Sequence, residues 1–191
     1  MKKTLLTFAL LLATLTAGAQ NIELTADGAY ERKEVVTVDG ISAAVLFDRA
    51  MMALTDWTGP DGKAKAGIDY QNQETHTVVY KGSFYAGARK WMMTQIDRYA
   101  NFTVKVRCKD GRAQVTVNVS TITATVASNG RSQTMTLGKA VSEMKKTSGA
   151  RRERGEDAVA YITNTADNLF NAMKLRLQGQ GGSTGGDDDD F

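Results

Sequence analysis

The 191 residues are 42% hydrophobic and 24% charged, and 24 Lys and Arg against 21 Asp and Glu leave a net charge of +3. One cysteine rules out an internal disulfide framework, and one histidine leaves little for a zinc set or a histidine-based triad. So mild a basic bias falls short of a dedicated nucleic-acid binder, while the length suits one domain with a real hydrophobic core.

The chain opens with Lys2 and Lys3, then an apolar run over residues 5–15 broken by Thr7 and Thr14, then Ala17, Gly18 and Ala19 before Gln20. This is the pattern of a cleaved export signal, too short to span a bilayer and followed by no cysteine for a lipid anchor. Residues 1–19 are expected to be a signal peptide, and the mature protein to be soluble in the periplasm or outside the cell. Without Lys2, Lys3 and the four aspartates near the C-terminus, the body carries about +5.

Residues 20–28 lead into a predicted strand over 30–38, where Tyr30, Val36 and Val38 share one parity. Asp39 and Gly40 break it, and Ser42 offers a side-chain oxygen to cap a helix. Leu46, Ala50, Ala53, Leu54 and Trp57 then recur on one helical face, widened by Phe47 and Met51, until Gly59, Pro60, Asp61 and Gly62 stop it. Ala64, Ala66, Ile68 and Tyr70 alternate with polar residues. Past a turn near Asn72, His76, Val78, Tyr80 and Phe84 do the same.

The strongest signal comes next. Phe102, Val104, Val106 and Cys108 alternate with Thr103, Lys105, Arg107 and Lys109, Asp110 and Gly111 supply a two-residue turn, and Ala113, Val115, Val117 and Val119 alternate in return. Pairing about that turn sets Cys108 opposite Ala113, Val106 opposite Val115 and Phe102 opposite Val119, with every apolar residue on one face. Ile122, Ala124 and Val126 continue with reversed parity, which predicts a bulge near Ser120 and Thr121. Residues 89–100, with Trp91, Met92, Ile96 and Tyr99, suit a helical turn as well as a strand.

Residues 128–155 read as a polar basic linker, with room for a short helix over 137–144; Lys139, Lys145, Lys146, Arg151, Arg152 and Arg154 are interrupted by Glu143 and Glu153. Val159, Ile162, Ala166, Leu169, Phe170, Met173 and Leu177 then form the stripe of a helix over 156–178, ended by Gly179. Residues 179–191 read as a disordered glycine-rich tail. The expected organisation is a core domain over 29–127 and a C-terminal helix packing on its sheet. Two helices would then cover one face of one antiparallel sheet and leave the other wet, an α+β architecture.

The export signal, the 104–112 hairpin Val-Lys-Val-Arg-Cys-Lys-Asp-Gly-Arg, the 42–57 helix and this order of elements together resemble the secreted Bacteroidetes domain of unknown function 4468. The resemblance covers residues 30–126. It implies a fold like that of the TATA-binding protein, with β-α-β4-α topology, and it implies no catalytic residues.

The chemistry expected of these residues is recognition. His76 reads as a half-buried residue at a strand start, and Cys108 as a buried, inert thiol. No Gly-rich phosphate cradle follows a strand, and no catalytic residue, cofactor or metal site is expected. The outward hairpin face carries Lys105, Arg107 and Lys109 beside Thr116 and Asn118, a surface for an anionic glycan, a lipid head group or an envelope protein. Nucleic acid is not expected there, since the face offers no aromatic wedge for base steps and export separates the protein from the genome. The second candidate is the tail tip Asp187, Asp188, Asp189, Asp190 and Phe191, a mobile anion with an aromatic end that suits docking in a basic, apolar pocket. The leading expectation is a non-enzymatic binding module. The alternatives are an envelope carbohydrate hydrolase with carboxylates not paired from sequence, and an outer-membrane assembly accessory.

Overall fold

A computed structural model of the chain describes residues 24–59, 62, 64–91 and 93–180. The expected signal peptide over 1–19 and the tail residues Asp187, Asp188, Asp189, Asp190 and Phe191 lie outside the described residues. The elements run β1 (Tyr30–Thr37), α1 (Ala43–Asp56), β2 (Lys65–Asn72), β3 (Thr77–Trp91), β4 (Thr94–Lys109), β5 (Arg112–Val126), β6 (Ser132–Thr136), α2 (Leu137–Lys145) and α3 (Ala150–Leu177). The strands form one antiparallel sheet in the order β1-β5-β4-β3-β2, with β6 also on β5. β1 takes residues 112–119 of β5 and β6 takes residues 121–125, so both share one edge.

The β4–β5 hairpin sets the register for everything else. Cys108 faces Ala113, Val106 faces Val115, Val104 faces Val117 and Phe102 faces Val119, and all eight are buried. A slip of one residue would turn this whole set to water, so the pairing is fixed by burial. Gly111 takes the left-handed φ of 73° that the two-residue turn requires. Beyond Val119 the partner of Asn101 is Thr121, which leaves Ser120 as the extra residue of the expected bulge. The shift returns Ile122 to the core, opposite Ala100.

The helices lie on the apolar side. Ser42 accepts from Val45 N at 3.4 Å, and Asp110 of the hairpin turn accepts from Ala43 N at 2.8 Å, so α1 is capped locally and tied to the turn. α1 buries Leu46, Phe47, Ala50 and Leu54. α3 buries Val159, Ile162, Ala166, Leu169, Phe170, Met173 and Leu177. Between them Trp57, Phe84 and Phe102 meet edge-on or tilted, with centroids 5.0–6.5 Å apart.

Four stretches differ from the sequence reading or settle what it left open. Residues 128–155 are not a linker: they hold β6, then α2, the short helix that the sequence allowed over 137–144, and the first turns of α3. β6 is exposed and polar apart from Met135, which stands opposite Ile122, and its backbone and two hydroxyl pairs, Thr123 with Thr134 and Thr125 with Ser132 (2.9 Å each), join it to β5. α2 buries Leu137 and makes a third helix, and Gly138 N donates to Gly28 O at 2.7 Å, a backbone approach that leaves no room for a side chain. α3 begins at Ala150 rather than at 156. Residues 89–100 are strand on both sides of the β3–β4 turn.

β2 is the fourth. Ala66, Ile68 and Tyr70 alternate with polar residues as a half-buried strand would, yet the strand is exposed from Lys65 to Gln71. It is an edge strand, and the register shift between Ile68 and Tyr70 sends Tyr70 beside Val79 on the open side.

The inward parity of β1 includes Arg32 and Glu34, opposite Val117 and Val115. The Arg32 guanidinium sits 4.2 Å from the Phe170 ring centroid, pairs with Glu34 at 2.8 Å and with Asp167 at 3.1 Å. Tyr30 Oη donates to Asp167 at 2.8 Å. Burial, and then the Asp167 carboxylate, push the Tyr30 phenol from 10.0 up to about 12. A phenol whose folded pKa is raised stabilises the fold fully below pH 10, and that contribution disappears as pH climbs toward 12. Tyr30→Phe is therefore expected to lower stability at pH 8 and to show a shallower alkaline decline than the parent between pH 10 and about 12 in denaturant titrations. Parallel curves for the two proteins would refute the Tyr30–Asp167 link.

Candidate anion-binding face

The side of the sheet away from the helices is built by the residues that alternate with the core. Across it, Lys33, Thr116 and Lys105 stand in one row of β1, β5 and β4. Val35, Gln114, Arg107 and Thr77 stand in the next, and Thr37, Arg112 and Lys109 in the last. Side chains directly opposite across antiparallel strands lie about 5 Å apart at Cβ. Five cations, Lys33, Lys105, Arg107, Lys109 and Arg112, thus gather on one end of the open face. None of the five has an ion-pair partner among the described residues. Lys109 and Arg112 even oppose each other across the turn, an arrangement that costs stability rather than adding to it.

Four of the five, Lys105, Arg107, Lys109 and Arg112, line a depression of about 680 Å³ together with Tyr70 and Val35, and Lys33 stands in the same row as Lys105. Thr75, Thr77 and Gln114 add hydroxyl and amide groups to its wall. Tyr70 is 49% exposed and Val35 54% exposed, so the basin joins positive charge to apolar surface. The acids of this face are engaged elsewhere. Asp69 pairs with Lys81 at 2.9 Å, and Glu31 accepts from Asn118 Nδ2 at 3.4 Å.

The sequence-predicted residues divide accordingly. Lys105, Arg107 and Lys109 come together in the depression. Thr116 lies between Lys33 and Lys105, and Asn118 lies one row away, occupied with Glu31. Lys33, Arg112 and Tyr70 were not anticipated. Arg112 was legible in the hairpin motif, but Lys33 and Tyr70 reach the site only through the β1–β5 pairing and the β2 bulge.

Of the remaining candidates, Cys108 belongs to the basin's lining but brings no reactive group to it, and His76 lies outside it. The Cys108 side chain is buried, and burial pushes its thiol up to about 11, far from a nucleophile at neutral pH. His76 has a left-handed φ of 46° in the β2–β3 turn, with its ring edge-on to Phe47 at 6.1 Å on the helix side. Among the described residues no group of three or more His, Cys, Asp or Glu could hold a metal ion, and no helix is long and apolar enough to cross a membrane.

Residues 33–122 match the family described as "Domain of unknown function (DUF4468) with TBP-like fold". A DUF4468 family protein from Bacteroides ovatus ATCC 8483 has the same architecture, with a TM-score of 0.56 at 16% identity over 89% of this chain and 95% of its own. A TBP-like protein from Parabacteroides distasonis ATCC 8503 gives 0.52 at 10% identity, over 80% of this chain and 97% of its own. Likeness at these identities establishes the fold and carries no activity with it. No curated protein matches the chain.

Proposed function

We propose that this chain, whose residues 33–122 are a domain of the DUF4468 family, is an exported, non-enzymatic module that binds anionic glycans through the open face of its sheet. The observation that carries the reading is the set of five cations, Lys33, Lys105, Arg107, Lys109 and Arg112, held together without carboxylates among the described residues. On the helix side, by contrast, Arg32, Lys174 and Arg176 each meet an acid. Like charges crowded at a strand end serve no structural purpose, and they suit a partner that brings the missing anions.

The geometry favours a glycan over other polyanions. Two guanidinium forks can each take a carboxylate or sulfate by two parallel hydrogen bonds. Tyr70 offers a flat ring against which the C–H face of a sugar can lie, and the surrounding hydroxyls and amide match sugar hydroxyls. DNA is disfavoured, because the outward positions along the hairpin are Thr, Lys, Arg, Gln and Asn, with no aromatic pair to wedge base steps. The export signal read over residues 1–19 points to the cell envelope as the place where such polymers are met.

Arg107→Glu with Lys109→Glu tests the reading on immobilised uronate-rich or sulfated polysaccharide. Both side chains are exposed, so the fold is expected to persist, with a slightly higher melting temperature as the repulsion by Arg112 is relieved. Losing two charge-assisted hydrogen bonds of about 1.5–3 kcal/mol each predicts at least a hundred-fold weaker binding. Parent affinity that ignores salt, or a double variant that binds as well as the parent, would remove the open face from consideration.

A further inference from the structure

The helix side holds a second cavity, of about 640 Å³, where β3, β4 and β5 run on past the aromatic core and α2 and α3 close over them. Its wall is largely apolar, with Ile122, Met135, Met144, Val159 and Ile162 among the lining residues. One group does not belong in such a wall. Arg98 stands opposite Ala124, two residues from buried Ala100 and on the same helix-facing side.

Arg98 Nε is buried with no hydrogen-bond partner, and no carboxylate pairs with it among the described residues. Burial, and then the neighbouring Arg89, push its pKa down, but a guanidinium does not give up its proton in a protein. Arg89, Lys90 and Arg154 also line the cavity, so the local field is positive. The acid in the lining, Glu143, is held by Lys146 at 2.7 Å. Arg98 is only partly buried, but its Nε is shielded from water and no acid among the described residues pairs with it, a desolvation cost that a bound anion would offset.

We propose that this cavity is a binding site for a single-chain amphiphile with a carboxylate head, the head taken by the Arg98 guanidinium and the alkyl chain by the apolar wall. A carboxylate matches the planar fork and supplies the missing charge, which a neutral lipid cannot do. The volume lies within the range of about 300–1,000 Å³ typical of small-ligand pockets. A polysaccharide is excluded by the apolar wall. The site is independent of the open face, which lies on the other side of the sheet.

Dodecanoate and dodecanol, titrated calorimetrically into the purified protein, read the head and the chain separately. Dodecanoate is expected to bind at micromolar concentration and dodecanol more weakly. Arg98→Met keeps the apolar volume and removes the fork, so it is expected to weaken dodecanoate by about ten- to a hundred-fold while leaving dodecanol unchanged. It is also expected to raise the melting temperature of the ligand-free protein. Ala158→Phe fills the cavity with Arg98 intact and is expected to weaken both ligands, which keeps the test decisive if Arg98→Met does not fold. Arg107→Glu with Lys109→Glu is expected to leave both ligands unchanged. Equal binding of the two ligands to the parent, full dodecanoate affinity in either cavity variant, or its loss in the open-face variant would overturn the proposal.

Discussion

A fragment that stops at residue 127 is expected to aggregate or to lack cooperative unfolding, although it contains the whole family-matched segment 33–122. The reason lies on α3. Val159, Ile162, Ala166, Leu169, Phe170, Met173 and Leu177 are all at most 5% exposed, and they pack on α1, β1 and β5. Fully burying one large apolar side chain contributes about 1.5–3 kcal/mol, so losing six such residues and Ala166 removes about 9–18 kcal/mol, as much as the usual total stability of about 5–15 kcal/mol. The loss has a second side. Val115, Val117 and Val119 of β5 would face water as one continuous apolar patch, the kind that drives association. Solubility, circular dichroism and urea unfolding of the fragment, against a companion ending at residue 180, check this. A cooperative, monomeric fragment would show that α1 alone is enough to cover the sheet.

The same helix shows what could be read from the chain and what could not. Its stripe, from Val159 to Leu177, recurs at helical steps over about five turns, so sequence and structure agree on its buried face. The β4–β5 hairpin was equally legible, because eight residues in strict alternation about a turn admit one register. Even the Ser120 bulge declared itself as a reversal of parity. β6 did not. Ser132, Gln133 and Thr134 have no buried face to leave a pattern, and what fixes them is a backbone ladder to β5 set by distant residues. The inward turn of Arg32 and Glu34 was hidden for the opposite reason. Alternation places side chains on a face but does not say that a charged pair can lie against Phe170 when Asp167 and Lys174 complete it. The open-face site followed the same division. Lys105, Arg107 and Lys109 belong to one strand and read out locally, whereas Lys33 and Tyr70 join them through two pairings that only the folded sheet defines.

That division between a dry side and a wet side predicts that stability and recognition separate cleanly under mutation. Phe84 is 1% exposed and meets the Trp57 ring at 6.5 Å and the Phe102 ring at 5.9 Å. Phe84→Ala removes the ring and leaves a hole that strands on one side and α1 on the other cannot close, a loss of about 3–5 kcal/mol. Phe84→Leu keeps most of the volume and is expected to lose less, though it forfeits ring–ring contacts worth about 0.5–1.5 kcal/mol each. Tyr70→Ala deletes an aromatic side chain of similar size from the open face. Half-exposed on an edge strand and away from the core, it is expected to change stability by no more than about 0.5 kcal/mol. Its effect should instead appear in glycan binding, where the flat rim of the basin is lost. Urea midpoints and polysaccharide affinities measured on the same three proteins resolve the two axes. A Phe84→Ala protein as stable as the parent would mean that the aromatic cluster is not the centre of the core. A Tyr70→Ala protein with full affinity would confine recognition to the cations, because the ring would then contribute nothing that charge does not already supply.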